Sequence, residues 1–249
     1  MNKNNQYTFL IDWDGTIFIG ERPVLGAFDL YSFMKALNAR IIYLTNNSSK
    51  NSKEYKVILK KHNLWNNNCQ IVTSGKVAAW YISQVLKINE IFIIGTDSLI
   101  KELKSFGVVS SLDSAKLVLI GFDKTLTYDK IQKGHELICK GLPFYATHDD
   151  KVCPCDNFSY VDCGSIIEIF KKSTDIEPVI IGKPYIITKK YLLETCNLNL
   201  GTTYLIGDKH ETDGKLANDL GIKFYQINSK DNLSYKHVQN EIIRLNNHG

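Results

Sequence analysis

The sequence contains no apolar run long enough to span a lipid bilayer, and it contains no block of clustered basic residues. Its 30 lysine and arginine residues are spread along the chain and give a formal net charge of only +4. We therefore expect neither a membrane nor a nucleic acid as partner. The first fifteen residues are too short in apolar length and too soon acidic for a secretory signal, so we expect a cytoplasmic protein.

Cysteine patterns typical of structural zinc sites are also missing. The 6 cysteines form no CxxC pair, and no histidine stands at zinc-ligand spacing from them. Cys153 and Cys155 are the closest pair, but the intervening Pro154 disfavours a relaxed disulfide. Reduced thiols, as in most cytosolic proteins, are the expected state.

The chain shows no internal repeat, no low-complexity stretch and no linker rich in proline or serine. Its 249 residues can bury a sizeable core and could form one large domain or two modest ones. Because no linker interrupts the pattern, a second domain would have to be inserted through short connections.

Short β-branched or aromatic runs alternate with segments of helical periodicity. The predicted strands are 7–11, 40–44, 91–94, 116–120, 142–146, 178–181, 203–206 and 223–227. The predicted helices are 25–37, 73–86, 128–140, 185–196 and 234–245. Strands that alternate with helices favour a parallel α/β architecture.

Two carboxylates follow the first predicted strand, at Asp12 and Asp14, and Gly15 then allows a sharp turn. In a parallel α/β sheet, ligands bind outside the carboxyl ends of the strands. Two neighbouring carboxylates there would repel each other unless a cation or phosphate chemistry used them. Taken alone, the pair could equally open an ordinary turn.

Polar side chains also follow two later strands. Thr45, Asn46 and Asn47 could form a cradle for an oxyanion, although Ser, Thr and Asn are equally common as helix N-caps. Lys183 follows the strand at 178–181 and could meet a phosphate, whereas most lysines are solvated at the surface. Each signal is weak by itself.

A fourth strand ends at Asp208, which can complete a site for a hard cation together with Asp12 and Asp14. Mg²⁺ suits a few carboxylates combined with water and phosphate oxygens. Asp213, five residues further on, could support this site or simply place a negative charge near a helix start.

Together, the four clusters and their order make the chain resemble the haloacid dehalogenase (HAD) superfamily of phosphohydrolases. DWDGT looks like its first motif, Thr45 its second, Lys183 its third and GDKHETD its acidic fourth. Further segments resemble the class IIA, NagD-like branch, and the resemblance runs from about Phe9 to Ile222. It is carried by TNNSS, IVTSGKVAAWYI, IGFDKTLTYDKI, FYATHDD, VDCGSIIEIF and GKP.

The resemblance implies a Rossmann-like parallel-sheet core with an inserted α/β cap. The core would comprise residues 1–86 and 175–249, and the cap residues 87–174. It also implies that Asp12 is the nucleophile, forming an aspartyl-phosphate, and that Asp14 is the general acid and base.

In this family the ligands follow the same motifs. Mg²⁺ would be held by the Asp12 carboxylate, the backbone carbonyl of Asp14 and Asp208. The transferring phosphoryl group would be bound by the residues that follow the second and third motif strands, namely Thr45, Asn46, Asn47 and Lys183. Asp213 is assigned to support.

The resulting hypothesis is a magnesium-dependent phosphatase for a small phosphorylated metabolite. One alternative is a HAD-type dehalogenase, which shares the nucleophile but has no need of Asp14. Another is a sensor that binds a phosphorylated metabolite without turnover. His148 replaces the asparagine usual at this point of the cap and could contact substrate, although a lone loop histidine is more often solvated. The exposed face of the cap is a plausible surface for a homodimer. The substrate itself cannot be read from the sequence.

Overall fold

The computed structural model describes residues 6–155 and 158–247, which form two parallel β-sheets flanked by helices. The strands are β1 (Thr8–Asp12), β2 (Phe18–Ile19), β3 (Arg22–Pro23), β4 (Arg40–Thr45), β5 (Cys69–Thr73), β6 (Glu90–Ile94), β7 (Val109–Ser110), β8 (Val118–Ile120), β9 (Phe144–Ala146), β10 (Val152–Pro154), β11 (Ser159–Val161), β12 (Val179–Ile180), β13 (Thr203–Gly207) and β14 (Lys223–Gln226). The α-helices are α1 (Ala27–Ala36), α2 (Ser52–Lys61), α3 (Ser74–Trp80), α4 (Asp97–Lys104), α5 (Tyr128–Cys139), α6 (Cys163–Thr174), α7 (Ile186–Thr195), α8 (Lys215–Leu220) and α9 (Asn232–Asn247). None of the helices in this described part of the chain is long and apolar enough to cross a membrane.

The first sheet has the strand order β14-β13-β1-β4-β5, and all of its neighbouring strands are parallel. Successive side chains of β1 point to opposite faces, so Phe9 and Ile11 pack on one side of the sheet and Leu10 on the other. Helices α1, α2 and α9 cover the first side, and α3, α7 and α8 cover the second. The result is the predicted Rossmann-like core, whose central strands are apolar on both faces.

The second sheet has the order β12-β9-β8-β6-β7 and is also parallel. One face, which includes Phe92 and Ile94, packs on α5 and α6. The other face, which includes Ile93 and Leu119, joins the same apolar cluster as Leu10 of the first sheet. Helices α3 and α4 contribute to that cluster, so the cap and the core share a continuous buried interface.

The strand at Val179–Ile180 pairs with β9 in the second sheet, although it lies beyond the expected cap boundary at residue 174. The chain therefore leaves the cap sheet only after this strand. We propose that the cap extends to about residue 180 and that the second core segment starts at Ile181, which packs with the core cluster.

The carboxyl ends of the parallel strands determine where the predicted site residues lie. Strands β13, β1 and β4 are neighbours in the first sheet, so their carboxyl ends lie side by side at one edge. Immediately after β1, Trp13 turns into the core and stacks on Phe18, with ring centroids 4.5 Å apart. Gly15 then adopts φ +87°, a left-handed conformation that glycine tolerates best.

Candidate active site

Three of the predicted site residues come from adjacent strand ends. Asp12 is the last residue of β1, Thr45 is the last residue of β4, and Asp208 directly follows β13. Lys183 reaches the same place from the other sheet, three residues after β12. The fold thus gathers residues that are up to 196 positions apart in the sequence.

Lys183 is buried between two carboxylates. Its Nζ lies 2.5 Å from Oδ1 of Asp12 and 2.7 Å from Oδ1 of Asp213. Burial opposes the charge on this lysine, but Asp12 and Asp213 outweigh that effect and raise the pKa of Lys183. The ammonium group is therefore fixed as a cation at the centre of the site.

Asp12, Asp208 and Asp213 each offer a carboxylate oxygen to a common cluster, in which these atoms lie within 4.8 Å of one another. Burial, followed by the negative charge of Asp12, raises the pKa of Asp208 to about 6. Burial also raises the pKa of Asp213 to about 7, although Lys183 opposes this shift. Hard oxygen donors with excess negative charge fit Mg²⁺.

Asp14 does not contribute its side chain to this cluster. Its Oδ2 accepts a hydrogen bond of 3.1 Å from the hydroxyl of Thr45. Burial, followed by the charge of Asp12, raises the pKa of Asp14 to about 7. Thr45 Oγ1 also accepts a hydrogen bond from the backbone N–H of Asn47 at 3.0 Å, so its hydroxyl holds Asp14 and the start of the following loop in place.

Asn46 fixes the backbone of Lys183. Its Oδ1 accepts from the Lys183 N–H at 2.8 Å, and its Nδ2 donates to the Lys183 carbonyl at 3.1 Å. The same Nδ2 also donates to Oδ2 of Asp150 in the cap at 3.0 Å. Asn47 contacts the cap as well, through a 3.4 Å contact from Nδ2 to the sulfur of Cys153. These two amides therefore connect the core loop to the cap.

His148 is fully buried behind the site and does not line its cavity. Its Nδ1 lies 3.2 Å from Asp150 and its Nε2 lies 3.4 Å from Asp162, distances typical of ion pairs but without hydrogen-bond angles. Burial opposes protonation, but the two carboxylates outweigh it and raise the pKa of His148 above 6.5. The expected contact between His148 and substrate does not fit this position, because the ring is fully buried and does not line the cavity.

Two adjoining cavities lie at the strand ends. The smaller cavity has a volume of about 30 Å³, and its walls include Asp12, Asp14 and Lys183. The larger cavity has a volume of about 350 Å³. The two share four wall residues: Asp14, Asn47, Cys153 and Pro154. The smaller cavity has room for a small group, and the larger one for a bigger body next to it.

Four polar residues of the smaller cavity were not predicted from the sequence: Asp150, Asp162, Lys209 and Thr212. Asp150 and Asp162 come from the cap, and the available signal was an acidic residue within each of the segments ATHDD and VDCGS. Asp162 also caps α6, because its Oδ1 accepts the Cys163 N–H at 2.6 Å. Such a residue is indistinguishable from an ordinary helix cap until the cap is placed over the core.

Comparison with known proteins agrees with this geometry. Residues 9–109 match a family model described as haloacid dehalogenase-like hydrolase, and residues 180–232 match a second one described as HAD-hydrolase-like. The solved 4-nitrophenylphosphatase of Thermotoga maritima is 31% identical and has a TM-score of 0.82, over 89% of this chain and 85% of that one. The chain belongs to the haloacid dehalogenase superfamily.

Within the HAD superfamily, a NagD protein of known structure is 30% identical with a TM-score of 0.84, covering 92% of this HAD chain and 90% of that protein. The 5'-nucleotidase YutF of Bacillus subtilis is 27% identical over 82% of this chain and 80% of its own length. The NagD-like resemblance noted in the sequence is confirmed. This HAD protein thus belongs with enzymes that hydrolyse phosphoric monoesters.

Proposed function

We propose that this HAD protein is a Mg²⁺-dependent phosphatase of a small metabolite and that it acts through an aspartyl-phosphate on Asp12. The proposal is carried by one observation: Asp12, Asp14 and Lys183 line the smaller cavity, and Asp14 also lines the larger one. With a phosphoryl group in the smaller cavity, the alcohol part of the ester would lie in the larger one. We therefore call them the phosphoryl cavity and the leaving-group cavity.

Asp12 is the proposed nucleophile. Its carboxylate oxygen forms a bond to phosphorus while the bond between phosphorus and the ester oxygen breaks. Thr16 donates to Oδ2 of Asp12 at 3.1 Å, and Lys183 holds Oδ1, so the carboxylate is fixed in orientation. Such fixation lowers the barrier because the reacting atoms need no further ordering.

Asp14 is the proposed general acid and base, since it lies on the wall between the two cavities. From this position it faces the oxygen that joins phosphorus to the leaving group. It donates a proton to that oxygen in the first step and accepts a proton from the attacking water in the second. The hydrogen bond from Thr45 orients it for both steps.

Mg²⁺ would be held by the carboxylates of Asp12 and Asp208 and by the backbone carbonyl of Asp14. When bound, it would polarise the phosphoryl oxygens and neutralise negative charge on them. Asp213 has a supporting role, because its two oxygens accept from Lys183 Nζ at 2.7 Å and from the Lys209 N–H at 3.4 Å.

Asn46, Asn47 and Lys183 are the proposed ligands of the phosphoryl oxygens, because all three line the phosphoryl cavity. Thr45 was predicted as a ligand too, but its side chain does not line this cavity, and its hydroxyl donates to Asp14. We therefore propose that Thr45 acts on the phosphoryl group through Asp14.

The proposal is tested by measuring inorganic phosphate released from 4-nitrophenyl phosphate and a panel of phosphorylated metabolites, with Mg²⁺ and with EDTA. Turnover should require Mg²⁺ and should be lost in Asp12→Asn. The control is Asp113→Asn, which makes the same change at an exposed turn of the cap and should keep full activity. Phosphate release that survives in Asp12→Asn would refute the assignment, and ligand-induced thermal stabilisation without any release would favour a sensor.

A further inference from the structure

The leaving-group cavity carries information on the substrate, given the proposed phosphatase function. Its volume of about 350 Å³ lies at the lower end of the range for small-molecule sites. It shares Asp14 and Asn47 with the phosphoryl cavity, so the alcohol that Asp14 protonates would lie in it. The side chains on its remaining walls therefore face the alcohol part of the ester.

Cations outnumber carboxylates on the outer part of this cavity. Its walls include Arg22, Lys50 and Lys124, against the single acidic side chain of Glu21 away from Asp14. Lys50 and Glu21 pair with each other at 3.0 Å, and both are partly or largely exposed. The hydrogen bond and charge of Lys50 lower the pKa of Glu21, which is therefore engaged with that lysine.

Lys124 differs from Lys50 in its surroundings. Its Nζ lies 5.5 Å from the ring centroid of Tyr160 and 5.8 Å from that of Phe122, and both rings also line the cavity. In residues 6–155 and 158–247, no carboxylate lies within ion-pair distance of it. The adjacent Asp123 is bound to Lys130 at 2.7 Å. Lys124 is thus an exposed side chain that lies near two aromatic rings at the cavity wall, with its charge available to a ligand.

We propose that Lys124 is a specificity-determining residue that binds a second anionic group, a carboxylate or a phosphate, on the alcohol part of the substrate. Lys50 also lines this cavity, but its charge is already paired with Glu21. The preferred substrate is then a small phosphomonoester with a negative charge at its far end. A neutral sugar or glycerol ester would fill the same space without using the cations.

The test uses two pairs of esters that differ in the second anion. One pair is 3-phosphoglycerate and glycerol 3-phosphate, and the other is fructose 1,6-bisphosphate and fructose 6-phosphate. The wild-type protein should turn over the doubly anionic member of at least one pair with the higher kcat/KM, and the pair that responds tells carboxylate from phosphate. In Lys124→Gln this preference should fall roughly three- to tenfold, mainly through KM, as expected for a partly solvated ion pair.

Lys56→Gln is the matched control, because Lys56 also lies over an aromatic ring, that of Trp65 at 5.0 Å, but does not line the cavity. It should leave the preference unchanged, and Lys124→Arg should restore it. The inference would be overturned, while the phosphatase proposal stands, if wild type and Lys124→Gln showed the same preference. It would also be overturned if the wild-type protein preferred the ester without a second anion in both pairs. If the wild-type protein turned over none of these esters, nor 4-nitrophenyl phosphate, the proposed function on which the inference rests would be overturned instead.

Discussion

Gly15 provides a direct test of the geometry around Asp208. A Cβ atom added at Gly15 would lie 2.9 Å from Cγ of Asp208 and would contact its Oδ2 even more closely. Ordinary van der Waals contact starts at 3.4 Å, so the carboxylate, whose Oδ2 is the nearest atom, would have to move by about 1 Å. Gly15→Ala should therefore displace one of the proposed Mg²⁺ ligands.

Two effects of this substitution can be separated. The positive φ of +87° makes alanine unfavourable by about 1–2 kcal/mol, whatever the surrounding space. This loss corresponds to a fall in Tm of roughly 2–8 °C for a chain of this size. Displacement of Asp208 adds a functional loss, because misplacement by about 1 Å can cost roughly a hundredfold in rate. We therefore expect a loss of about a hundredfold in kcat/KM.

Gly141→Ala is the matched control. Gly141 has nearly the same φ, +88°, but an added Cβ would meet nothing within 4 Å. Thermal unfolding should show a similar loss of stability in both variants, whereas only Gly15→Ala should lose phosphatase activity and Mg²⁺ affinity measured by calorimetric titration. Equal activity and Mg²⁺ affinity in the two variants would refute the assigned position of Asp208.

Two more predictions follow from the hydrogen bonds and charges at the site. Thr45→Val should lower kcat by roughly ten- to hundredfold with little change in KM, because it removes the hydrogen bond that orients Asp14, and steady-state kinetics measures this split. For His148 the folded pKa lies above the unfolded value of 6.5, so its pairing with Asp150 and Asp162 stabilises the fold fully below about pH 6.5. This contribution is lost as pH rises through the raised pKa, and urea unfolding should show that wild type loses more stability over this range than His148→Gln.

Controls for these predictions lie on distant elements. Thr195→Val removes a hydroxyl that donates to the backbone carbonyl of Tyr191 in α7 at 2.7 Å. This change should leave kcat unchanged. His237→Gln changes an exposed histidine of α9 and should keep the wild-type pH dependence. An equal rate in Thr45→Val and wild type, or parallel pH curves for His148→Gln and wild type, would contradict the respective arguments.

Much of the fold follows from local sequence patterns. All eight predicted strands and all five predicted helices are present, most with differences of a few residues at their ends. In the predicted helix 73–86 the α-helix ends at Trp80, and the chain continues as a π-helix over Tyr81–Val85. The edge strand β5 (Cys69–Thr73) was not predicted, since its short run CQIVT lacks a continuous apolar stretch and leads straight into a helix. Helices α4 and α6 were also not predicted. Both helices are amphipathic and pack their apolar face against partners distant in sequence, so their apolar periodicity was an available signal.

The residues at the strand ends of the first sheet are the part of the site that chain geometry predicts. Asp12, Thr45 and Asp208 had to meet, because parallel neighbouring strands end at one edge of the sheet. Burial of His148 depends on how Asp150 and Asp162 fold around it, which no spacing in the sequence specifies.

All six cysteines are free thiols. A cytoplasmic location and a homodimer stay predictions.

The most direct test of the central claim asks whether Asp12 attacks phosphorus. Wild-type protein would hydrolyse 4-nitrophenyl phosphate in ¹⁸O-labelled water, and the reaction would be quenched rapidly. The peptide containing Asp12 would then be analysed by mass spectrometry. We predict a phosphoryl adduct on Asp12 during turnover, with ¹⁸O entering the released phosphate and not the carboxylate. Absence of the adduct, or ¹⁸O in the Asp12 carboxylate, would contradict the account.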